Sequence, residues 1–323
     1  MNPKEFLVTT NADNFEERAL AMFQYQYENV SVYRSYADLV RRNNPKSIEE
    51  IPFLPISFFK TTRVIDQNAH KVDLHFQSSG TGHSGRSQHL IFEKEWYEDS
   101  FFLGFTHFFG SVKDYVVLAL LPNYVDQGDS SLVYMVNAFI QQSEQVNSGF
   151  VLNDPASLIE RYQEALKEKK KVIIFGVSYA LLDLAEAQVD LSQAIMIETG
   201  GMKGRRKELT KTELHRELMK GLGVSEIRSE YGMTELLSQG YSMKDGKFQV
   251  VPWMKILIRD PYDPFQYFSN ERTGGINVID LANKHSCAFI QTQDLGRTVE
   301  DGFYLEGRFD DADIRGCNLL VEA

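Results

Sequence analysis

Cysteine is nearly absent from this chain: Cys287 and Cys317 are the only two in 323 residues. Two thiols cannot build a disulfide framework, and they provide no zinc-type cluster. Positive charge is also in short supply. With 34 Lys and Arg against 45 Asp and Glu, the net charge is −11, which argues against a nucleic-acid-binding surface as the main function, although a local basic site is still allowed. No uninterrupted apolar run approaches the length needed to cross a bilayer, so an integral membrane protein is not expected. The opening Met1-Asn2-Pro3-Lys4-Glu5 has no basic region followed by an apolar core, and no secretory signal is read there. Internal repeats, low-complexity segments and long flexible linkers are missing as well. The simplest expectation is a cytoplasmic, reduced protein.

What is present is the material of a folded core. Hydrophobic residues make up 43% of the chain and aromatics 12%, enough for one big domain or two unequal ones. Between Asn14 and Arg42 the residues Phe15, Leu20, Phe23, Tyr27, Tyr33, Tyr36, Leu39 and Val40 recur at helical spacing. This predicts two helices whose aromatic stripe is core packing. The Pro-bounded stretch 51–64 reads as an extended connection. Tyr115 to Leu121, Val172 to Phe175 and Ala194 to Ile197 are apolar runs that suit strands buried on both faces. Between the first two, Asp154 can cap a helix with Pro155 at its first position and lysines 167 and 169 to 171 at its far end. Strand and helix therefore alternate, as in a largely parallel α/β sheet. After about Phe248 the pattern changes to short alternating runs separated by turn residues, which predicts a mostly β portion.

The stretch from Gln77 to Ser87 reads as a phosphate cradle. Gly80, Gly82 and Gly85 free the backbone to aim its amides at one point. Ser and Thr hydroxyls add donors, and Arg86 adds a planar cation suited to phosphate oxygens. The segment Val72-Asp73-Leu74-His75-Phe76 alternates and reads as a strand ending where the loop begins. A flexible surface loop would have the same composition.

Further pieces follow in order: Thr199-Gly200-Gly201-Met202-Lys203-Gly204, Tyr231-Gly232-Met233-Thr234-Glu235, Thr292-Gln293-Asp294-Leu295-Gly296, and Gly307-Arg308-Phe309-Asp310-Asp311. With Ser78-Ser79-Gly80-Thr81 this order resembles the adenylate-forming superfamily of acyl- and aryl-activating ligases. More narrowly it is similar to the acyl-protein synthetases of bacterial luminescence and to phenylacetate-ligase-like proteins, a match that also draws on Pro52 to Lys60 and on Arg315-Gly316-Cys317-Asn318-Leu319. The resemblance runs from about Ile51 to the end.

The resemblance implies an α/β fold, a layered αβαβα large domain with a β-rich C-terminal portion. The large domain is expected over 1–306, with a hinge and short tail at 307–323. It implies ATP and Mg²⁺ as cofactors, a fatty or aryl carboxylic acid as substrate, and a reductase or acyl-carrier protein as possible partner. Ser78, Ser79, Gly80 and Thr81 would close over the β- and γ-phosphates. Arg86 would stand where related chains carry a lysine. Gly200 and Gly201 would let the backbone approach the adenine and the acyl group, with Lys203 a further candidate cation. Tyr231 would pack against the adenine, Gly232 would belong to the ATP-binding set, Thr234 would contact the α-phosphate, and Glu235 would hold Mg²⁺. Read without the resemblance, this pentapeptide could equally be a capping box at a helix start, with Ser229 or Thr234 as cap. The expectation is a short strand at 226–228, then the motif, then a helix. Asp294 would accept from the ribose hydroxyls or merely shape a turn before Gly296. Arg308 would reach ribose or phosphate, and Asp310-Asp311 would mark the hinge.

Ligases of this superfamily carry a smaller C-terminal domain after that hinge, and its lysine serves adenylation. The large domain here is expected without it. Adenylation would then proceed without that lysine, or a partner would complete the site. Cys317 matches the near-terminal cysteine segment of acyl-protein synthetases, where a thiol takes the acyl group from AMP as a thioester. Cys287, beside Ala288 and Phe289, reads as a small hydrophobe. A rival motif, Gly176-Val177-Ser178-Tyr179-Ala180, resembles a nucleophile elbow, for which Asp280 and His285 could serve as partners in a serine hydrolase. A non-catalytic subunit that binds acyl chains or nucleotide is a third possibility.

Overall fold

The computed structural model describes residues 2–78, 85–122, 129–152, 154–200, 209–269 and 271–309. In chain order the elements begin with helices α1 (Pro3–Val8), α2 (Phe15–Asn29) and α3 (Ser31–Leu39), followed by strand β1 (Leu54–Pro55) and helix α4 (Phe58–Thr61). Strands β2 (Leu74–Gln77) and β3 (Gln88–Ile91) and helix α5 (Lys94–Phe109) come next. Then follow β4 (Tyr115–Leu120), α6 (Ser131–Ser143), β5 (Gly149–Phe150), α7 (Pro155–Lys167), β6 (Lys171–Val177), α8 (Ser178–Glu186), β7 (Ala194–Thr199), α9 (Lys211–Leu222) and β8 (Ile227–Tyr231). The chain closes on β9 (Gly240–Lys244), β10 (Lys247–Val250), β11 (Met254–Arg259), β12 (Gly274–Asp280), β13 (Phe289–Val299) and β14 (Gly302–Arg308).

The described residues fall into two compact units, one within 2–74, 85–97 and 247–309 and the other within 75–78 and 98–246. The second is the parallel α/β unit. Its strands run in the order β9-β8-β7-β6-β4-β5, all parallel except the β8–β9 pair. All six residues of β4, and β6 from Val172 onward, are buried, which is why both read as unbroken apolar runs. Truncating a residue such as Phe175, which has 0% exposure, to Ala would cost about 3–5 kcal/mol. Local signals set the helix ends. The Asp154 side chain accepts from the Ser157 amide at 2.9 Å with Pro155 at the start of α7. Thr210 and Glu213 form a reciprocal capping box on α9, which ends at Gly223 with φ +68°, a conformation that costs glycine little.

The other unit is built on antiparallel β11-β12-β13-β14-β10, with β1 pairing in parallel with β13. The two predicted N-terminal helices are α2 and α3, and their stripe is core. Phe15, Phe23 and Tyr33 are buried, and Tyr33 stacks on Phe289 at 5.9 Å. Leu39 departs from the expected stripe: it is 80% exposed. It sits two positions beyond the buried Ala37, and at about 100° per residue that turns it away from the core face. Part of the 51–64 connection is helical as α4 rather than extended.

Candidate active site

In a parallel sheet, ligands bind beyond the carboxyl ends of the strands, where loops and helix N-termini gather. Two of the predicted pieces fall there. The pairing Met196↔Ile227, Ile197↔Arg228 and Glu198↔Ser229 sets Gly200 and the Tyr231-Gly232 pair just beyond, or at, the ends of neighbouring β7 and β8. Gly200 is exposed, and a Cβ built on it meets nothing within 4 Å, so the backbone there is open to approach.

The motif Tyr231 to Glu235 corrects one expectation. The strand preceding it is Ile227–Tyr231 rather than 226–228, and no helix follows. Instead the chain turns, with the Leu236 amide donating to the Met233 carbonyl at 3.1 Å, and returns as antiparallel β9 with Tyr231 opposite Gly240. Leu236 and Leu237 are both buried, at 1% and 3% exposure, and a turn can sink such adjacent apolar residues where a surface helix could not. The capping-box alternative is thereby removed, and the box that does exist is at Thr210. Tyr231 and Glu235 are buried and Thr234 is half-buried.

Beneath this turn lies a polar network that the sequence patterns did not single out. Glu198, 2% exposed, accepts from the Ser178 hydroxyl at 2.5 Å and from the Ser229 hydroxyl at 3.1 Å, and pairs with Lys211 Nζ at 3.4 Å. His215 Nε2 lies 3.2 Å from the Ser229 hydroxyl. Burial holds the His215 pKa below the ordinary histidine value. Burial, and then repulsion from Glu198, pushes Glu230 up to about 7. The network ties the starts of α8 and α9 to β7 and β8. The signal for it was an acid directly following the apolar run at 194–197.

This network also bears on the nucleophile elbow. Ser178 is 2% exposed and donates to a carboxylate. His285 faces Asp66 through Nδ1 at 3.2 Å, and Asp280 accepts from the Ala282 amide at 3.2 Å. Among the described residues these three therefore make no Ser-His-Asp relay.

In the β-rich unit, Asp294 on β13 is directly opposite Arg308 on β14, and Arg308 Nε sits 3.1 Å from Asp294 Oδ1. The Asp294 side chain is 11% exposed and that of Arg308 67%. The predicted ribose acceptor, midway along β13, and the predicted phosphate cation, at the end of β14, are thus brought together as an ion pair. The Thr292 hydroxyl accepts from the Asp294 amide at 3.1 Å, which fixes the strand where the acid projects. Arg86 is exposed and makes no hydrogen bond or ion pair among the described residues. Ser78 is half-buried just past β2. Ser79, Gly80, Thr81, Gly201, Lys203, Asp310, Asp311 and Cys317 lie outside the described residues. Cys287 is fully buried, its thiol pushed up to about 12 by burial, as suits a small hydrophobe rather than a nucleophile.

Among the described residues no group of three His, Cys, Asp or Glu could hold a metal ion. A magnesium ion at Glu235 would therefore take the rest of its oxygen shell from substrate phosphates and water, a common arrangement for that ion. No helix of the described residues is long and apolar enough to cross a membrane.

No family model matches the chain. The Long-chain-fatty-acid--luciferin-component ligase of Photorhabdus luminescens is 35% identical over 63 residues, which make up 19% of this chain and 54% of that protein. Among solved structures, ATP-bound MatB from Rhodopseudomonas palustris superposes with a TM-score of 0.55 at 20% identity, over 76% of this chain and 49% of MatB. A 2-hydroxyisobutyryl-CoA ligase in its postadenylation state gives a TM-score of 0.66 at 12% identity, over 94% of this chain and 69% of its own. The chain thus spans about half the length of the ligase from Photorhabdus and of MatB. The chain has the fold of the adenylate-forming enzymes, of acyl-CoA-ligase-like type.

Proposed function

We propose that this protein activates a carboxylic acid with ATP, forming acyl-AMP, and passes the acyl group to a protein thiol. A carboxylate is a poor electrophile because it carries negative charge and has no good leaving group. In the first step a carboxylate oxygen attacks the α-phosphorus of ATP and the bond to pyrophosphate breaks. In the second a thiolate attacks the acyl carbonyl and AMP leaves with the bonding pair. The observation that carries this reading is the position of Gly200 and of Tyr231 to Glu235 at the carboxyl ends of adjacent parallel strands.

In this reading Tyr231 faces the adenine, Gly232 lends its backbone to the ATP site, Thr234 contacts the α-phosphate, and Glu235 would hold a magnesium ion. That ion would neutralise charge on the phosphates as pyrophosphate departs. Asp294 accepts from the ribose hydroxyls, while Arg308 approaches ribose or phosphate. Ser78, Ser79, Gly80, Thr81 and Arg86 close on the β- and γ-phosphates, and Gly201 adjoins the acyl group. The segment 307–323 serves as hinge and tail, and Cys317 on it receives the acyl group for delivery to a reductase or acyl-carrier partner. The 63-residue likeness to a fatty-acid ligase supports a fatty acid as the substrate class and the acyl-protein synthetase subtype.

The test is mass spectrometry after incubation with ATP, Mg²⁺ and a fatty acid. Acyl-AMP should form, and a hydroxylamine-labile adduct should appear on the peptide containing Cys317. Full acylation of Cys317→Ser, or an adduct confined to Cys287, would remove the thiol step while leaving adenylation standing.

A further inference from the structure

Glu230 and Gln239 are the polar groups at the β8–β9 turn that the mechanism above does not use. Glu230 is the residue before Tyr231, and its carboxyl oxygen Oε1 stands where a Cβ on Gly232 would have to go. Gln239 closes in from the returning strand, its Cγ 3.4 Å from the same point. Gly232 itself is exposed, and its lack of a side chain is what lets the Glu230 carboxyl lie over it beside Gln239.

Neither side chain is satisfied from within the described residues. Glu230 is half-buried, yet it has no hydrogen bond or ion pair there. Gln239 is 7% exposed, and its amide makes a single long bond, Nε2 to the Leu237 carbonyl at 3.4 Å. Its side-chain carbonyl accepts nothing. The two side chains thus flank the exposed Gly232. Glu198 cannot fill the role, because its oxygens are occupied by Ser178, Ser229 and Lys211.

We infer that Glu230 and Gln239 recognise a hydrogen-bond donor, a hydroxyl or amino group, carried by the acid that the enzyme activates. This inference rests on the adenylation reading, because it takes the neighbouring Thr234 and Glu235 to mark where the acid is joined to phosphate. A plain alkyl chain laid against Gly232 would strip water from both side chains and return no hydrogen bond to either. A hydroxyl donates to the carboxyl while accepting from the Gln239 amide. An amine would bring a cation directly against Glu230, which Lys211, paired with Glu198, influences only partly. Because Glu230 titrates near neutrality, it can meet a hydroxyl in either protonation state, whereas an amine selects the ionised form.

The experiment measures acyl-AMP formation and calorimetric binding, with ATP and Mg²⁺, for octanoate against its hydroxylated and aminated derivatives substituted along the chain. The parent should prefer at least one substituted acid over octanoate by ~10-fold or more in KM. Glu230→Leu should abolish that preference and lower the KM for octanoate. Glu230→Gln should keep part of the hydroxyl preference and lose the amino preference, and circular dichroism melts should show both variants folded. Equal use of octanoate and every derivative by the parent, or an unchanged preference in Glu230→Leu, would overturn the inference. So would an effect of Glu230→Leu confined to discrimination between ATP and inosine triphosphate, which would assign the residue to the base. If the parent does not bind ATP at all, the adenylation reading falls and this inference with it. Normal ATP binding without acid preference removes this inference alone.

Discussion

In the parallel-sheet unit Glu198 is buried among its partners with Glu230 half-buried beside it, whereas in the β-rich unit Asp294 and Arg308 pair with each other across neighbouring strands, the arginine mostly in solvent. Glu198 collects two serine hydroxyls and a lysine, and Glu230 is left with none among the described residues. The first arrangement is costly to build and sensitive to any loss, since a buried polar group without a partner bears its full desolvation penalty. The second is cheaper, since Arg308 keeps most of its water and loses little when its partner is removed. Mutations in the parallel-sheet unit should therefore disturb stability and chemistry together, while those at Asp294 and Arg308 should touch function more than stability.

The largest effect expected is on chemistry at the Tyr231–Glu235 turn. Glu235→Gln keeps the shape and removes the charge, and should slow acyl-AMP formation on the order of 100-fold in a quenched-flow assay. The contrast between units is next tested at Glu198. Glu198→Ala strands the Ser178 and Ser229 hydroxyls and should lower unfolding free energy by about 2–3 kcal/mol, read from urea denaturation. Asp294→Ala should cost less stability than Glu198→Ala, because its partner Arg308 stays solvated, and raise the KM for ATP by roughly 10-fold. A strongly destabilised Asp294→Ala would break the comparison.

The smallest effect is a pH slope. Burial raises the Glu230 pKa from 4.5 to about 7, so the folded state holds a proton that the unfolded chain releases earlier. Its contribution to stability is complete below the ordinary glutamate value and is lost as pH rises through about 7. Denaturation midpoints should thus fall between mildly acidic and mildly basic buffer, and Glu230→Gln should flatten that component. A parent whose stability rises over the same window, with no change on substitution, would remove Glu230 from the account.

Much of the fold was legible because the deciding signals are local. Asp154-Pro155 capped α7 as expected, the unbroken apolar runs became β4, β6 and β7, and the change in pattern after Phe248 became the antiparallel strands. What the sequence obscured depends on contacts between distant residues. A Ser or Thr followed by Glu reads as a helix start, and only the pairing of Tyr231 with Gly240 shows that the chain turns back. The Glu198 network joins residues 178, 198, 211 and 229 from separate elements, so no spacing rule could assemble it. Gln239 was invisible for the same reason: its position matters only because Gly232 leaves room beside it.

The central claim is that this chain makes acyl-AMP, and pyrophosphate release tests it most directly. Purified protein mixed with ATP, Mg²⁺ and a panel of carboxylic acids should release pyrophosphate only when an acid is present, and Glu235→Gln should suppress that release. No pyrophosphate with any acid, or equal release by parent and Glu235→Gln, would contradict the account.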